Sequence, residues 1–460
     1  MASRVDVSTF HGLAWRLIRD FGRYAGHGTH PSLRGEAESK LFKDDPNVLS
    51  YDDLLPEALK VLHLPRIGSL VQRRWSLVIC DEFQDTDDKQ WELLEHLTVV
   101  GNRLLLLGDP NQMIFDGFLG HKGVGPQRLD TALARPGIKQ IDLPLGSHRD
   151  PTQLMPTVGE AVGLRNFSHP SLATAIAQRR LRIVTGIDDD PALDAVCNAM
   201  EVSKRKGAKS FGVFLHGNEP TASMSAALTE RGIEHVAVGL SESYGEALTT
   251  VITMLRFAVA GAQWDDVLVR MAVFYTSTVR SKYAPPVAFA IGTGRTEGLL
   301  GRRLGELREQ LAQAPDIDSA IHIAAFSWPG LDLRRGMRAW KRAVAEVARL
   351  VTVSDSAHPI DVVQRQVDAL RVDSFTGIDA GETSPVQVMN LHQTKGREAD
   401  AIIAVFRPGD YHGKEQEPFP TASRLLYVVL TRARDQVTLI LPSSPHALVA
   451  PFIDLVAVSR

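Results

Sequence analysis

The chain has 460 residues, of which 44% are hydrophobic and 23% are charged, so its composition is that of globular proteins and its length predicts about two to four domains. The net charge of −3 excludes a generally basic coat for nucleic acid, although a local basic channel remains compatible with it. Two cysteines exclude a disulfide framework and no apolar run is as long as a membrane span, so we expect a cytoplasmic protein with no membrane partner.

The N-terminal region combines a helix with a polar insertion. Residues Val5 to Phe10 have the pattern of a short strand, and apolar residues recur every four positions from His11, which predicts a helix that stops at Gly22. Residues 26–73 are polar and contain several prolines. They predict a small inserted subdomain with a short helix over Tyr51 to Leu62.

Two strands with polar ends follow the insertion. Ser76 to Cys80 and Arg103 to Leu107 have the pattern of buried parallel strands, with a helix over Trp91 to Leu97 between them. Asp81 and Glu82 come directly after the first strand. Such a pair can hold a nucleotide-bound Mg²⁺ and polarise an attacking water, and a charged strand end at a solvent-facing turn is an equal alternative.

Further polar groups follow at similar places. Gln112 lies just beyond the second strand, where a glutamine can sense a γ-phosphate. The nearby rings of Phe115 and Phe118 either stack on exposed bases or pack in the core. Arg149 follows a short predicted strand and offers a fork of donors for phosphate oxygens, although a lone arginine in a loop is more often a surface residue.

The second half of the chain alternates sheet and helix signals. Residues 262–384 are rich in Ala, Arg and Leu and predict helices. Two α/β cores, each with an insertion, account for this order. The predicted elements of these cores are the strand Phe211 to Gly217, the helix Thr221 to Ile233, and the strands Glu234 to Gly239, Val386 to Leu391, Ala401 to Phe406 and Gln436 to Leu441.

Two late segments carry further candidate groups. In the loop after Leu391, Thr394 and Lys395 offer donors to a phosphodiester. Arg432 ends a predicted helix, from which an arginine can stabilise phosphate charge across an interface. For Arg434 we expect only a cation that is favoured by the helix C-terminus.

The order of these motifs resembles the UvrD/Rep-like superfamily 1 DNA helicases from Thr9 to Leu441. TFHGLAWRLIR is similar to the DNA-contacting TFH motif of that family, DEFQD to its Walker B motif and GDPNQMIF to its glutamine motif. GSHRD, LHQTKGREAD and LLYVVLTRARD resemble its later motifs in the same order. The resemblance implies an α/β fold with two RecA-like parallel-sheet cores, the first incomplete at its N-terminus, and helical insertions.

The resemblance also implies domain boundaries. Residues 1–145 would form the incomplete first core, with the insertion at about 26–73. Residues 146–261 would begin the second core, 262–384 would form a helical insertion, and 385–460 would complete the second core.

Carried over residue by residue, the resemblance assigns roles toward ATP, Mg²⁺ and DNA. Asp81 would serve Mg²⁺ and Glu82 would be the catalytic base, while Glu398 would contact the ribose. Gln112, Arg149 and Arg432 would contact the γ-phosphate. The partner would be single-stranded or partly duplex DNA, with Thr9, His11, Phe115, Phe118, His392, Thr394 and Lys395 on or near it.

One motif of the family has no counterpart in the 460 residues, because GxxxxGK[ST] does not occur. We therefore expect that a partner chain, or a segment missing from the N-terminus, supplies this Walker A phosphate loop, and that the polypeptide alone does not hydrolyse ATP at a helicase-like rate. A split helicase and an incorrect gene start remain open. So does a non-hydrolysing protein that binds single-stranded DNA or serves as a scaffold.

Overall fold

The computed structural model describes residues 5–28, 31–42, 45, 47–98, 103–114, 122–143, 146–237, 242–279, 281, 283–333, 335–353, 360–364, 384–410, 412 and 415–458. Phe115 and Phe118 lie outside these residues. The chain divides into two compact units. The helical unit comprises Met1–Val71 and Leu240–Ala380, and the sheet unit comprises Gln72–Gly239 and Gly381–Arg460.

Strands and helices alternate along much of the described chain. The strands are β1 (Ser32–Leu33), β2 (Val48–Leu49), β3 (Leu77–Cys80), β4 (Arg103–Leu106), β5 (Leu181–Val184), β6 (Phe211–Leu215), β7 (Val236–Ala237), β8 (Val386–Asn390), β9 (Ala399–Val405) and β10 (Ala433–Ile440). The helices are α1 (Phe10–Phe21), α2 (Glu36–Leu41), α3 (Leu54–Leu62), α4 (Pro65–Gln72), α5 (Asp88–Leu97), α6 (Pro126–Leu133), α7 (Leu154–Gly163), α8 (Pro170–Ala177), α9 (Leu193–Arg205), α10 (Asn218–Glu230), α11 (Glu242–Val259), α12 (Trp264–Ser277), α13 (Pro286–Gly292), α14 (Gly298–Ala312), α15 (Ile317–Gly330), α16 (Met337–Val353), α17 (Pro420–Thr431) and α18 (Pro451–Val458).

The helical unit has its core among helices α11 to α16. Trp328 and Trp340 are fully buried there, with stacked rings whose centroids are 5.4 Å apart. Helix α11 contributes Val251 and Leu255 to the same core. This helical region therefore begins at Glu242, before the boundary expected at residue 262. The apolar pattern of α11 belongs to the bundle and not to a sheet core.

The segment expected as a small insertion packs within the helical unit. The expected helix over Tyr51 to Leu62 is confirmed as a 3-10 turn, Tyr51–Asp53, that leads into α3. Helix α2 is fixed by Glu242, whose Oε1 accepts a hydrogen bond from the backbone N–H of Ala37 at 2.6 Å. Burial raises the pKa of the Glu242 carboxyl group.

The sheet unit contains a six-stranded sheet in the order β5-β10-β9-β6-β8-β7, and every neighbouring pair is parallel. Strand β6 is buried at every residue because helices cover both faces. Val213 faces the core formed with α9 and α10, whereas Phe214 faces the core formed with α7, α8 and α17. The predicted α/β fold with parallel sheets is confirmed, and the strands predicted in this region are present.

A second parallel sheet in the same unit consists of β3 and β4. The expectation that both strands are buried is wrong, because one face is largely exposed. Leu77, Ile79 and Leu105 are 44%, 55% and 45% exposed, and Leu107 just after β4 is 38% exposed. Parallel sheets are normally covered on both faces. An apolar face of this kind is unusual on a folded protein.

Two predictions for short strands are also wrong. Residues 5–9 form no strand, because Thr9 is the N-cap of α1 and its hydroxyl accepts the backbone N–H of Gly12 at 3.0 Å. The predicted helix from His11 to Gly22 is confirmed as α1. No strand precedes His148 among the described residues up to Leu143. None of the described helices is both long enough and apolar enough to cross a membrane.

Candidate functional site

Two carboxylates stand at the carboxyl end of β3. Asp81 is exposed, and its Oδ1 accepts the backbone N–H of Glu82 at 2.9 Å. Glu82 has a φ of 50°, in the left-handed region that residues with a side chain rarely adopt. A conformation of this kind costs about 1–3 kcal/mol and is found most often at functional sites. The fold therefore holds the Glu82 side chain in a direction that a relaxed strand end would not give.

The buried side chain of Gln84 connects the ends of β3 and β4. Its Nε2 donates to Oε2 of Glu82 at 2.6 Å, and its Oε1 accepts the backbone N–H of Asp109 at 3.1 Å. Gln84 has no exposed surface, so its end of both hydrogen bonds is shielded from water. The Glu82 carboxylate is thereby fixed against the turn that follows β4.

That turn presents Gln112. Its Nε2 donates to Oδ2 of Asp109 at 2.9 Å, and the hydroxyl of Tyr427 donates to the same oxygen at 3.3 Å. Burial and the Asp109 carboxylate raise the pKa of Tyr427 to about 12, so this hydroxyl keeps its proton at neutral pH. Tyr427 supports the turn and has no nucleophilic character.

Arg432 follows helix α17 and is 1% exposed. Its Nη2 donates to Oε1 of Gln112 at 2.8 Å, and its Nε donates to the backbone carbonyl of Val428 at 3.1 Å. Burial, followed by the nearby charge of Arg149, lowers the pKa of Arg432 to about 10, and the Glu82 carboxylate acts in the opposite direction. The guanidinium remains charged at neutral pH and is held within electrostatic range of both side chains.

A second group of charges surrounds Glu398. Arg149 Nε donates to Oε2 of Glu398 at 2.7 Å, and Arg434 Nη2 donates to Oε1 at 2.5 Å. These bonds, that of Arg434 first, lower the pKa of the Glu398 carboxyl group. The expectation that Arg434 is only a cation at a helix end is wrong. Arg434 lies in β10 and pairs with Glu398 and Asp400.

The loop between β8 and β9 places Lys395 at the carboxylates. Its Nζ is 3.1 Å from Oε2 of Glu82, 3.3 Å from the backbone carbonyl of Gln112, and in contact with Oδ2 of Asp85. The Lys395 side chain is 11% exposed. In this structure its ammonium therefore faces the candidate catalytic carboxylates, and its expected role as a donor to DNA is not supported by this geometry.

The other residues expected on DNA have mixed surroundings. Thr394 is fully buried and its hydroxyl donates to the backbone carbonyl of Leu391 at 2.7 Å, so it holds the loop and offers no donor to solvent. His392 is half-buried, and burial followed by the charge of His216 lowers its pKa. In the helical unit, Thr9 caps α1 and the ring of His11 stacks on that of Tyr51 with centroids 3.8 Å apart.

The sheet unit thus brings together most of the polar side chains that the sequence singled out. Glu82, Gln112 and Arg432 are linked through direct contacts or electrostatic range, and Arg149 is close to Arg432. Two contributors, Gln84 and Asp109, were given no role from the sequence, although Gln84 lies within DEFQD and Asp109 within GDPNQMIF. Lys395 was identified as a candidate, but nothing in the sequence indicates the direction of its side chain. The arrangement combines carboxylates suited to a divalent cation with guanidinium groups suited to phosphate.

Segments of this chain are similar to known helicases. Residues 36–120 match the family described as UvrD/REP helicase N-terminal domain. The chain is 41% identical over 81 residues to "RecBCD enzyme subunit RecB" of Mycolicibacterium smegmatis, covering 17% of this chain and 8% of that protein. It is 34% identical over 87 residues to "ATP-dependent DNA helicase Rep" of Buchnera aphidicola, covering 18% of this chain and 12% of that protein.

A longer match extends over most of the sequence. The chain is 21% identical over 453 residues to "Putative ATP-dependent DNA helicase YjcD" of Bacillus subtilis, which covers 87% of this chain and 56% of that protein. This chain is related to the UvrD/Rep helicases. The resemblance drawn from the motifs is confirmed. In each of these three relatives, the matched part is less than two thirds of the relative's own length.

Proposed function

We propose that the sheet unit of this UvrD/Rep-related chain binds ATP with Mg²⁺ at the carboxyl ends of its strands, and that the protein serves as a DNA helicase or translocase. The observation that carries the proposal is the contact of Arg432 with Gln112 at 2.8 Å. It joins the end of α17 to the turn after β4, with Glu82 and Arg149 within electrostatic range. Guanidinium groups and a glutamine so arranged suit the charge that develops on a transferring phosphoryl group.

Each side chain has a role in this proposal. Asp81 is exposed and supplies an oxygen ligand of the kind that Mg²⁺ prefers, and Glu82 is the base that accepts a proton from the attacking water. Mg²⁺, when bound, neutralises phosphate charge. Arg149 and Arg432 stabilise the γ-phosphate and Gln112 senses it. Glu398 stays ionised beside its two arginines, and this makes it an acceptor for ribose hydroxyl groups.

Single-stranded or partly duplex DNA is the proposed substrate. His11 and His392 remain candidate contacts, whereas the buried hydroxyl of Thr394 and the paired ammonium of Lys395 make them poor ones. Binding of DNA depends on phosphate contacts and therefore weakens as the salt concentration rises.

We further propose that a phosphate-loop segment, from a partner chain or from upstream sequence, covers the apolar face of β3 and β4. The exposed side chains of Ile79 and Leu105 support this part of the proposal, because the hydrophobic effect favours their removal from water. Both strands end at the site carboxylates or at the turn that carries Gln112, so a segment lying there would be next to the proposed nucleotide. An Ile79→Asn and Leu105→Asn double variant is expected to fold as the wild type does and to lose association with such a segment in gel filtration.

The test of the nucleotide site is a titration with a fluorescent ATP analogue in the presence of Mg²⁺, with and without single-stranded DNA. We expect saturable binding that changes the DNA affinity and is lost in Arg149→Met. Arg205→Met is the matched control, because Arg205 is on an exposed face of α9. Glu82→Gln is expected to keep binding and to lose any hydrolysis. The titration is then repeated after addition of the protein encoded by the neighbouring upstream gene, which is a candidate source of the phosphate loop.

Two outcomes would contradict the proposal. Salt-dependent binding to single-stranded DNA with no effect of nucleotide would favour the non-hydrolysing DNA-binding or scaffold alternative. Nucleotide binding that is unchanged in Arg149→Met would place the nucleotide elsewhere in the protein.

A further inference from the structure

The ammonium group of Lys395 has three acceptors for its three protons. These are Oε2 of Glu82 at 3.1 Å, the backbone carbonyl of Gln112 at 3.3 Å, and Oδ2 of Asp85 in direct contact. With 11% of its side chain exposed, Lys395 has exchanged most of its water for these acceptors. A lysine held so completely by anionic and carbonyl oxygens fills a position that a metal cation would also favour.

The loop around Lys395 is held in shape from both sides. Asn390 Oδ1 accepts the backbone N–H of Gln393 at 3.0 Å, and Gln393 Oε1 accepts that of Asn390 at 3.1 Å. The buried hydroxyl of Thr394 closes the 3-10 turn. Gly396 has a φ of 76°, a conformation that glycine adopts without strain, and it turns the chain immediately after Lys395. The position of the ammonium is thus built into the loop.

Lys395 contacts two carboxylates, those of Glu82 and Asp85, in a segment that is rich in acidic groups. Asp81, Glu82 and Asp85 lie within five consecutive positions, and Glu82 also accepts a bond from Gln84. Among the described side chains within hydrogen-bond distance of Glu82, Lys395 supplies the positive charge. Arg149 is engaged by Glu398 and Arg432 by Gln112. The lysine therefore neutralises the candidate base when no other cation is bound.

We propose that Lys395 is a positioning residue that occupies the cation position beside Glu82 in the nucleotide-free protein and yields it to a divalent cation. This inference rests on the proposed function, because it concerns the regulation of the same site. An ammonium group at Oε2 of Glu82 and a divalent cation at the adjacent Asp81 carboxylate repel each other strongly. The flexible stem of lysine lets its ammonium withdraw without unfolding the loop. Since Lys395 shares its loop with His392, the exchange links the cation beside Glu82 to a candidate DNA contact.

The test measures binding of Mn²⁺, which suits the same oxygen ligands as Mg²⁺, to the nucleotide-free full chain by electron paramagnetic resonance. Lys395→Met is expected to bind one Mn²⁺ about tenfold more tightly than the wild type or more, because a competing charge has been removed. Lys395→Arg keeps the charge and should behave as the wild type does. The gain should disappear in Lys395→Met combined with Glu82→Gln.

Two results would overturn the inference. One is an Mn²⁺ affinity of Lys395→Met that equals that of the wild type, and the other is a gain that persists when Glu82→Gln is added. Lys395→Gln, which keeps two donors without the charge, replaces Lys395→Met if the latter fails to give a native circular dichroism spectrum. Because no nucleotide or DNA is present, failure here is distinguishable from failure of the proposed function, which the ATP analogue tests separately.

Discussion

Arg432 Nη2 donates to Oε1 of Gln112 at a distance of 2.8 Å, joining two residues that lie 320 positions apart in the sequence. The guanidinium is buried at the end of α17, where it also holds the carbonyl of Val428. A charged donor in this position is important for the stability of the sheet unit as well as for any ligand.

Replacement of Arg432 by methionine is expected to lower the free energy of unfolding by roughly 1.5–3 kcal/mol, because the buried carbonyl of Val428 and the half-buried side chain of Gln112 lose a charged donor. Urea denaturation followed by circular dichroism measures the change. Arg205→Met is the control, since Arg205 is exposed and pairs with the exposed Glu201 on the same helix, and it should change stability by less than about 0.5 kcal/mol. Equal stabilities of the two variants would show that the Arg432 contact contributes nothing.

The carboxylate of Glu398 makes the stability of the protein depend on pH in the acidic range. Its folded pKa is lowered below the usual 4.5, chiefly by the hydrogen bond from Arg434 and then by Arg149, so its stabilisation is present above pH 4.5 and is lost as the pH falls through the folded pKa. Because a third of the side chain is exposed, Glu398→Gln should cost only about 0.5–1 kcal/mol at pH 7.

The difference between wild type and Glu398→Gln should shrink as the pH is lowered below 4.5. Urea unfolding at a series of pH values measures it. Glu201→Gln, at an exposed carboxylate on α9, provides the comparison. A constant difference across the series would mean that the Glu398 charge does not carry the effect.

His412 should make the protein less stable in mild acid. Its ring packs between those of His216 and His446, with centroids 4.5 and 4.8 Å away. Burial, followed by the charges of these two histidines, lowers the pKa of His412 from 6.5 to about 3. The unfolded chain therefore takes up a proton below pH 6.5 that the folded chain refuses, and stability falls as the pH drops from about 6.5 toward 3.

Thermal melts at pH 7 and pH 5 check this expectation. Between pH 7 and pH 5, the melting temperature of the His412→Asn variant should fall by less than that of the wild type. His322→Asn, at an exposed position on α15, is the control and should follow the wild type. Identical pH dependence of all three proteins would exclude His412 as the cause.

Cys80 should resist thiol reagents in the native protein. It is buried at the end of β3, and burial raises the pKa of its thiol to about 11, so almost no thiolate exists at pH 8. Alkylation by iodoacetamide, followed by mass spectrometry, should modify the half-buried Cys197 first and Cys80 only in urea. Native labelling of Cys80 at the rate of Cys197 would show that the β3–β4 sheet opens readily.

The sequence predicted the sheet cores well because their strands are continuous apolar runs. Strand β6 is buried on both sides, and its pattern could not fit an exposed strand. The same kind of run misled for β3, because an apolar pattern records what a strand is able to bury and not what covers it. The prediction of a strand over Val5 to Phe10 was wrong for another reason. Thr9 caps the start of helix α1 through its hydroxyl, and the residue types found at such a helix start also occur at the end of a short strand.

The sequence indicated most of the residues that lie at the candidate site but only part of the contacts that they make. Glu82, Gln112 and Arg432 each follow a predicted strand or helix, and parallel topology brings such ends together. Lys395 was assigned to DNA because a lysine in a glycine-containing loop can point in either direction, and only the folded loop decides. Arg434 was misassigned because the chain passes from helix to strand within one residue of Arg432.

The contacts of the loop between β8 and β9 also fix the number of residues in it. Lys395 forms an ion pair with Glu82. Glu398, which is separated from Lys395 by Gly396 and Arg397, forms ion pairs with Arg149 and Arg434. Any insertion or deletion between the two would rotate one of them away from its partners while the other stayed in place. Grafting this loop onto another scaffold would therefore require the spacing as well as the side chains to be copied.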